Sequence, residues 1–161
     1  MIRIGLISDT HNFFDDKIYK YFENVDEVWH AGDIGNIEIL EKIKNFKKTR
    51  AVYGNIDGYD IRNECKKELL FTIYNFKIFI THIGGKPPKY NNDIIKKING
   101  YEPNIFVCGH SHILNISKDK KFNLIFMNPG AAGKVGLNKE RTIVRFGIDE
   151  KKINSIEVIK L

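Results

Sequence analysis

Two pairs of side chains in this sequence have the types and the spacing of metal ligands. Asp9 and His11 stand two residues apart, and so do His110 and His112. In an extended segment, residues i and i+2 point to the same side, so the two members of each pair can reach one ion. Carboxylate and imidazole donors without a thiolate suit Mn²⁺, Fe²⁺, Ni²⁺ or Zn²⁺. The spacing therefore predicts metal binding at both pairs.

Three single residues extend this donor set. Asp33 and Asn55 each follow a glycine, and His82 follows a threonine at the end of an apolar run. Taken alone, each has a simpler explanation, because Asp and Asn are frequent in turns and a lone histidine is more often part of a core. The His-Ser-His segment alone could be a mononuclear zinc site. Together, seven donors favour two ions about 3.5–4 Å apart, with one carboxylate bridging them.

Two adjacent divalent ions have a characteristic chemistry. They acidify a bridging water into hydroxide at neutral pH, and they neutralise the charge that builds up on phosphoryl oxygens during in-line attack. No GxSxG segment or comparable nucleophile motif competes with the donor set. The donors therefore predict phosphoester hydrolysis rather than acyl transfer.

Predicted strands would bring these donors together. The first half alternates apolar and amphipathic stretches, which predicts strands over 2–7, 25–29 and 50–53 and helices over 15–24 and 37–46. For the second half we predict a hairpin of 69–74 and 77–81 turning at 75–76, a helix over 93–99, and strands over 104–108, 124–127, 141–146 and 153–159. Because ligands gather at the carboxyl ends of parallel strands, five strand ends would deliver the donors to one edge.

In this order, the DxH, GD, GNxD, TH and GHSH motifs resemble those of the calcineurin-like metallophosphoesterase superfamily. The resemblance is strongest to its small bacterial and archaeal phosphodiesterases, which consist of the core domain alone. It covers residues 4–133, and the segment Asn128-Pro129-Gly130 resembles the family's loop after the GHxH motif. It implies one domain over 1–161 with an α/β (α+β) fold, a four-layer αββα sandwich of two mixed sheets flanked by helices.

The resemblance also implies a role for each donor. One ion would be held by Asp9, His11 and His112. The other would be held by Asn55, His82 and His110, with Asp33 bridging both. Asn55 would also orient a phosphate oxygen. The cofactors would be two divalent metal ions, with Mn²⁺ expected first and Ni²⁺, Fe²⁺ and Zn²⁺ as alternatives. The implied activity is that of a metal-dependent phosphodiesterase.

Four features qualify this expectation. Larger relatives place a histidine after the motif asparagine, where this chain has Ile56, so we expect weak activity on alkyl phosphomonoesters. The loop over 83–90 either contacts an anionic substrate through its lysines and Tyr90 or is a stiff surface loop. His30 is expected to orient a neighbour or pack in the core rather than bind metal. Asp57 could orient a ligand or cap a turn.

Composition excludes several other classes. The net charge of +6 comes from scattered lysines, which mildly favours an anionic substrate and leaves nucleic acid open. The two cysteines, Cys65 and Cys108, form no CxxC motif and exclude a disulfide framework. No apolar run reaches about 18 residues, and the first residues lack a signal-peptide pattern. We therefore expect a cytoplasmic protein without a membrane partner.

Two alternatives to a phosphodiesterase remain open. The same superfamily includes the small subunit of the retromer coat, a non-catalytic protein scaffold, although degenerate sites are typical of scaffolds and every donor position here is filled. A nuclease is the other alternative. The expected partner is a phosphate-ester small molecule or a nucleotide, and a homodimer is one of the oligomeric states left open.

Overall fold

The computed structural model describes residues 1–136 and 140–161. Over these residues the regular elements are, in chain order, β1 (Ile2–Ile7), α1 (Lys17–Tyr21), β2 (Glu27–His30), α2 (Ile37–Phe46), β3 (Lys48–Ala51), α3 (Tyr59–Glu64), β4 (Glu68–Ile73), β5 (Phe76–Thr81), β6 (Gly85–Lys86), β7 (Lys89–Tyr90), α4 (Asn92–Tyr101), β8 (Ile105–Val107), β9 (Leu114–Asp119), β10 (Leu124–Pro129), β11 (Thr142–Ile148) and β12 (Ile153–Lys160).

Two five-stranded mixed sheets form the centre of the fold. The first has the strand order β12-β11-β1-β2-β3, and its β1, β2 and β3 are parallel. The second has the order β4-β5-β8-β10-β9, and its β5, β8 and β10 are parallel. The flanking strands pair antiparallel in both sheets. Each sheet therefore carries parallel strands whose carboxyl ends can bear a site.

The layers follow from the alternation of side chains along the strands. In β1, Leu6 faces a core shared with residues of the second sheet, whereas Ile7 faces the first three helices. In β2, Trp29 likewise faces the shared core, and Val28 faces the helices. The helix α4 covers the second sheet through Ile94 and Ile98. The predicted αββα sandwich of two mixed sheets flanked by helices is confirmed.

Several predicted boundaries were wrong. The helix predicted over 15–24 is the single turn of α1, and β2 begins at Glu27 rather than at residue 25. The strand predicted over 50–53 spans Lys48–Ala51, because Lys48 and Arg50 of this edge strand pair with buried Glu27 on β2. The first hairpin turns one residue earlier than predicted, where Tyr74 takes a left-handed φ of 51°.

Four short elements were not predicted. The helix α3 buries a single hydrophobic residue, Ile61, so its apolar periodicity is weak. The strand β9, with the sequence LNISKD, is a largely polar edge strand. The strands β6 and β7 contain two residues each. Among the helices described here, none has the length and apolarity that crossing a membrane would require.

Candidate metal centre

The predicted donors lie in loops at the carboxyl ends of the parallel strands. Asp9 and His11 follow β1, and Asp33 follows β2. Asn55 lies beyond β3, after the isolated pairing of Val52 with Lys66. The remaining donors follow β5 and β8 of the second sheet, namely His82, His110 and His112. Both sheets therefore contribute to one site.

Backbone hydrogen bonds hold these loops against one another. The N–H of Asp9 donates to the carbonyl of Gly32 at 3.0 Å, and the N–H of His11 donates to that of Asp33 at 3.1 Å. The N–H of Gly109 donates to the carbonyl of His82 at 3.0 Å. Each bond joins a loop that carries one donor to a loop that carries another, so the donors keep fixed mutual positions.

Five donor residues have left-handed backbone conformations. Their φ angles lie between 44° and 67° and belong to Asp9, His11, Asp33, His110 and His112. Such angles cost a non-glycine residue roughly 1–3 kcal/mol and persist only where the surroundings impose them. The sharp turns project the side chains out of the strand ends toward a common centre.

The first donor cluster consists of Asp9, His11 and His112. Nε2 of His112 lies 3.2 Å from Oδ1 of Asp9 and 3.2 Å from Nε2 of His11. Nε2 of His11 lies 3.7 Å from the same carboxylate oxygen. An ion with tetrahedral bonds of about 2.0–2.2 Å would separate its ligand atoms by about 3.3–3.6 Å. The three donor atoms are thus spaced like the ligands of one ion.

The second donor cluster consists of Asp33, His82 and His110. Nε2 of His82 lies 3.2 Å from Oδ2 of Asp33, and the rings of His82 and His110 meet edge to face with centroids 5.3 Å apart. Oδ1 of Asn55 lies 3.1 Å from Nε2 of His82, so the asparagine adjoins this cluster. The structure therefore brings all seven predicted donors together.

The two donor clusters are adjacent. Oδ2 of Asp33 lies 3.5 Å from Nε2 of His11, and Oδ1 of Asp9 lies 3.9 Å from Nε2 of His82. Asp33 thereby reaches both groups of histidines. This position is the one expected of a bridging carboxylate.

Asp9 provides a test of whether a cation fits. Its Oδ2 accepts hydrogen bonds from Oγ of Ser8 at 2.6 Å and from the N–H of His110 at 3.1 Å. Its Oδ1 is buried and, within the described part of the chain, accepts no hydrogen bond. Burial by itself would raise the pKa of Asp9, but the histidines around the carboxylate outweigh it and lower the pKa. A buried carboxylate oxygen without a donor matches a cation ligand.

Asp33 is also held in its ionised form. Burial opposes ionisation, but the hydrogen bond with His82 and the N–H of Ile56, which donates to Oδ1 at 3.0 Å, lower the pKa of Asp33. Opposite the carboxylate, Nδ1–H of His82 donates to the carbonyl of Ala31 at 2.8 Å. That bond orients the ring so that Nε2 faces the cluster. Both partners thus present metal-binding atoms.

His30 links two donor loops from beneath the site. The N–H of Gly32 donates to its Nδ1 at 3.2 Å, so the proton resides on Nε2, which donates to Oγ1 of Thr10 at 3.0 Å. The Thr10 hydroxyl in turn donates a hydrogen bond to the carbonyl of Ile34 at 2.8 Å. Complete burial lowers the pKa of His30 to about 4, so the ring is neutral at pH 7. These contacts fit the predicted orienting role.

Asp57 and Asn128 are supports whose roles the sequence did not define. The carboxylate of Asp57 accepts from the N–H groups of Gly54 at 2.7 Å and Gly35 at 2.8 Å, joining the Asn55 loop to the Asp33 loop. Nδ2 of Asn128 donates to the carbonyl of Gly109 at 2.9 Å. In the sequence, Asp57 is the last residue of the GNxD motif, and Asn128 is the first residue of the NPG segment.

Gly54 is required by the close approach of two loops. A Cβ atom at this position would lie 2.0 Å from Oδ1 and 2.4 Å from the backbone nitrogen of Asp33. No L side chain fits such a gap without moving the carboxylate. The glycine before Asn55 is therefore part of how Asp33 is positioned.

Comparison with known proteins identifies the family. The family model of the calcineurin-like phosphoesterase superfamily domain matches residues 2–151. The chain belongs to this superfamily. A probable metallophosphoesterase of Methanocaldococcus jannaschii is 30% identical over an alignment of 156 positions that covers 92% of this chain and 77% of that protein. A phosphodiesterase of the same organism is 33% identical over an alignment of 101 positions that covers 50% of this chain and 58% of that protein.

Solved structures share the fold of this superfamily member. A structure described as a novel archaeal phosphodiesterase superposes with a TM-score of 0.75 at 25% identity, covering 99% of this chain and 100% of that one. A Vps29 variant of Entamoeba histolytica superposes with a TM-score of 0.79, covering 99% of both chains. Its sequence identity of 16% means that this likeness concerns the fold alone.

Proposed function

We propose that this chain is a metal-dependent phosphodiesterase. The observation that carries the proposal is the adjacency of two donor clusters, with Asp33 within 3.5 Å of histidine nitrogens in both. Two divalent ions held side by side are a recurrent device for hydrolysing phosphate esters. The relatives named phosphodiesterase and metallophosphoesterase support the same activity.

Each donor has a proposed place in the site. One ion would be bound by Asp9, His11 and His112. The other would be bound by Asn55, His82 and His110, and Asp33 would bind both. Mn²⁺ is the first choice, with Ni²⁺, Fe²⁺ and Zn²⁺ as alternatives. When bound, such ions supply Lewis acidity that lowers the pKa of water and offsets negative charge on phosphoryl oxygens.

Residues of the chain position the substrate around this centre. Asn55, whose side chain is exposed beside His82, orients a phosphoryl oxygen through its amide. Ile56 follows it with 44% of its surface exposed and has no proton to give. The departing alcohol therefore takes its proton from water, which favours phosphodiesters and good leaving groups over alkyl phosphomonoesters. In the net reaction, water oxygen bonds to phosphorus as the P–O ester bond breaks.

The second candidate is a non-catalytic scaffold. The Vps29 structures have the same fold, and this likeness is the observation that favours the scaffold. Against it stands the complete donor set, since a scaffold has no need to retain seven metal-binding side chains in register. A nuclease is a narrower form of the proposed activity. The proposed substrate class is a phosphate-ester small molecule or a nucleotide, and the proposed location is the cytoplasm.

The deciding experiment is hydrolysis by metal-stripped protein reloaded with Mn²⁺, Ni²⁺, Zn²⁺ or Mg²⁺. The substrates are bis-p-nitrophenyl phosphate, p-nitrophenyl phosphate and a single-stranded oligonucleotide. Asp33→Ala tests the bridging position, and Asp60→Ala, which removes an exposed carboxylate of α3, is the matched control.

We expect metal-dependent cleavage of the diester in the unaltered protein and in Asp60→Ala, and its loss in Asp33→Ala. Cleavage of the oligonucleotide at a comparable rate would narrow the activity to a nuclease. A chain that binds two ions per molecule but cleaves no diester would refute the enzyme and favour the scaffold.

A further inference from the structure

A cavity of about 410 Å³ opens beside the second donor cluster. Asn55 and His82 line it, so one of its walls is part of the candidate metal centre. Tyr53, Ile83 and Ile94 supply apolar surface. The volume lies within the range of roughly 300–1,000 Å³ that small-molecule sites occupy. A phosphodiester bound at the cluster would have room for one of its two organic groups here.

The lining of the cavity carries more positive than negative charge. Lys97 forms an ion pair with Glu68, and both line the cavity. Arg62 and Lys67 also line it, and among the described residues neither forms an ion pair with a carboxylate. The remaining charge is the carboxylate of Asp93. Two cations therefore face one anion in a space that adjoins the site of phosphate chemistry.

Arg62 is fixed relative to the donor loop. Its Nε donates to the carbonyl of Asp57 at 2.6 Å, and a terminal nitrogen donates to that of Gly54 at 3.4 Å. Its guanidinium lies 4.5 Å from the centre of the Tyr53 ring. These partners belong to the loop that carries Asn55, and none of them neutralises the guanidinium. The positive charge is thus preorganised beside the cluster.

We propose that this cavity binds a second anionic group, such as a further phosphate, on the organic arm of the phosphodiester. The proposal rests on the proposed function, because it takes the reacting phosphate to lie at the donor clusters. The apolar walls accept the organic part, and Arg62 and Lys67 accept the anion. The substrate class is then a nucleotide-sized diester with an additional phosphate, rather than a diester with two neutral arms.

The test compares two esters that differ by one phosphate. These are the p-nitrophenyl ester of thymidine 5′-phosphate and the same compound carrying a 3′-phosphate. We expect the 3′-phosphate to raise kcat/KM through a lower KM. Lys67→Gln should reduce this preference about tenfold, the equivalent of one charge-assisted contact. The matched control is Lys66→Gln, since Lys66 is also exposed but does not line the cavity.

The outcomes separate this inference from the proposed function. Cleavage of the plain ester with no gain from the 3′-phosphate would overturn the inference and leave the phosphodiesterase intact. An equal loss of preference in Lys66→Gln and Lys67→Gln would also overturn it. The effect would then come from the overall positive charge of the surface and not from a contact in the cavity. Failure to cleave either ester, or bis-p-nitrophenyl phosphate, would overturn both proposals.

Discussion

Nε2 of His11 lies 3.5 Å from Oδ2 of Asp33, although the two residues belong to different donor clusters. The same carboxylate oxygen lies 3.2 Å from Nε2 of His82. The carboxylate of Asp33 therefore contacts histidines of both donor clusters. A change at this position should affect both ions, whereas a change at the far edge of one cluster should affect only its own.

Asp33→Asn is accordingly expected to lower the metal content at both positions, because it removes a charge that both clusters share. His112→Gln should lower it at one position only. Metal per chain is measured by elemental analysis after dialysis against a fixed Mn²⁺ concentration. One full equivalent retained by Asp33→Asn would assign the carboxylate to a single ion. An equal loss in the two variants would show that the clusters bind cooperatively.

Ile56→His is expected to raise hydrolysis of an alkyl phosphomonoester, such as glycerol 2-phosphate, relative to bis-p-nitrophenyl phosphate by about 10² or more, since general acid assistance to a poor leaving group contributes 10²–10⁴. Ile56 is exposed, and its N–H donates to Asp33, so an imidazole there would stand at the site without displacing a core residue. Ile56→Gln controls for polarity because it brings no titratable proton. An unchanged ratio in Ile56→His would show that leaving-group protonation does not limit monoester cleavage.

Gly54→Ala is expected to reduce diester cleavage and to destabilise the fold by about 1–3 kcal/mol, because the added methyl group would overlap the carboxylate of Asp33. Gly58→Ala is the matched control, since a Cβ there meets nothing within 4 Å. Steady-state kinetics and urea unfolding measure the two effects. If both variants behaved alike, the close approach of the two loops would not govern the position of Asp33.

Glu27→Gln is expected to destabilise the protein at pH 7 by about 1–3 kcal/mol. The buried carboxylate accepts from the indole N–H of Trp29 at 3.1 Å and pairs with Lys48 and Arg50 at 2.6 and 2.8 Å. Burial opposes ionisation, but these partners lower the pKa of Glu27 below its ordinary value of 4.5. The stabilisation is therefore present above the unfolded pKa and is lost as pH falls through the lower folded pKa.

Urea unfolding at pH 7 and at successively lower pH values measures this dependence. The difference between the unaltered protein and Glu27→Gln should shrink below about pH 4.5. Glu64→Gln is the control, because Glu64 pairs with Lys44 on the exposed surface. A difference that stays constant down to pH 2 would show that the charge of Glu27 contributes nothing and that only its packing matters.

The sequence predicted the layers well because apolar alternation is a local signal. The bounds of β1 and α2 agree with the predicted 2–7 and 37–46, since both elements bury a regular set of side chains. The edge strand β9 was missed because half-exposed polar residues carry no such pattern. Its place is set by pairing with β10, which is a tertiary contact that no local window contains.

The sequence was enough to predict which residues form the candidate site, but not which contacts hold their loops in place. Strand ends and residue types were enough to group His82 with Asp33. The sequence could not assign Asp57, because its carboxylate bridges Gly54 and Ile34, whose partnership depends on how two loops meet. The cations around the neighbouring cavity come from α3, α4 and the segment before β4, and no motif connects them.

The distance along the chain between His11 and His112, 101 positions, has a consequence for biosynthesis. A growing polypeptide that ends before β8 possesses four of the five donor loops, those that follow β1, β2, β3 and β5. It lacks His110 and His112, which complete the two clusters. The proposed metal sites can therefore be completed only after the loop that follows β8 has been translated. An ion that binds the folded clusters and not the unfolded chain would then stabilise the native state.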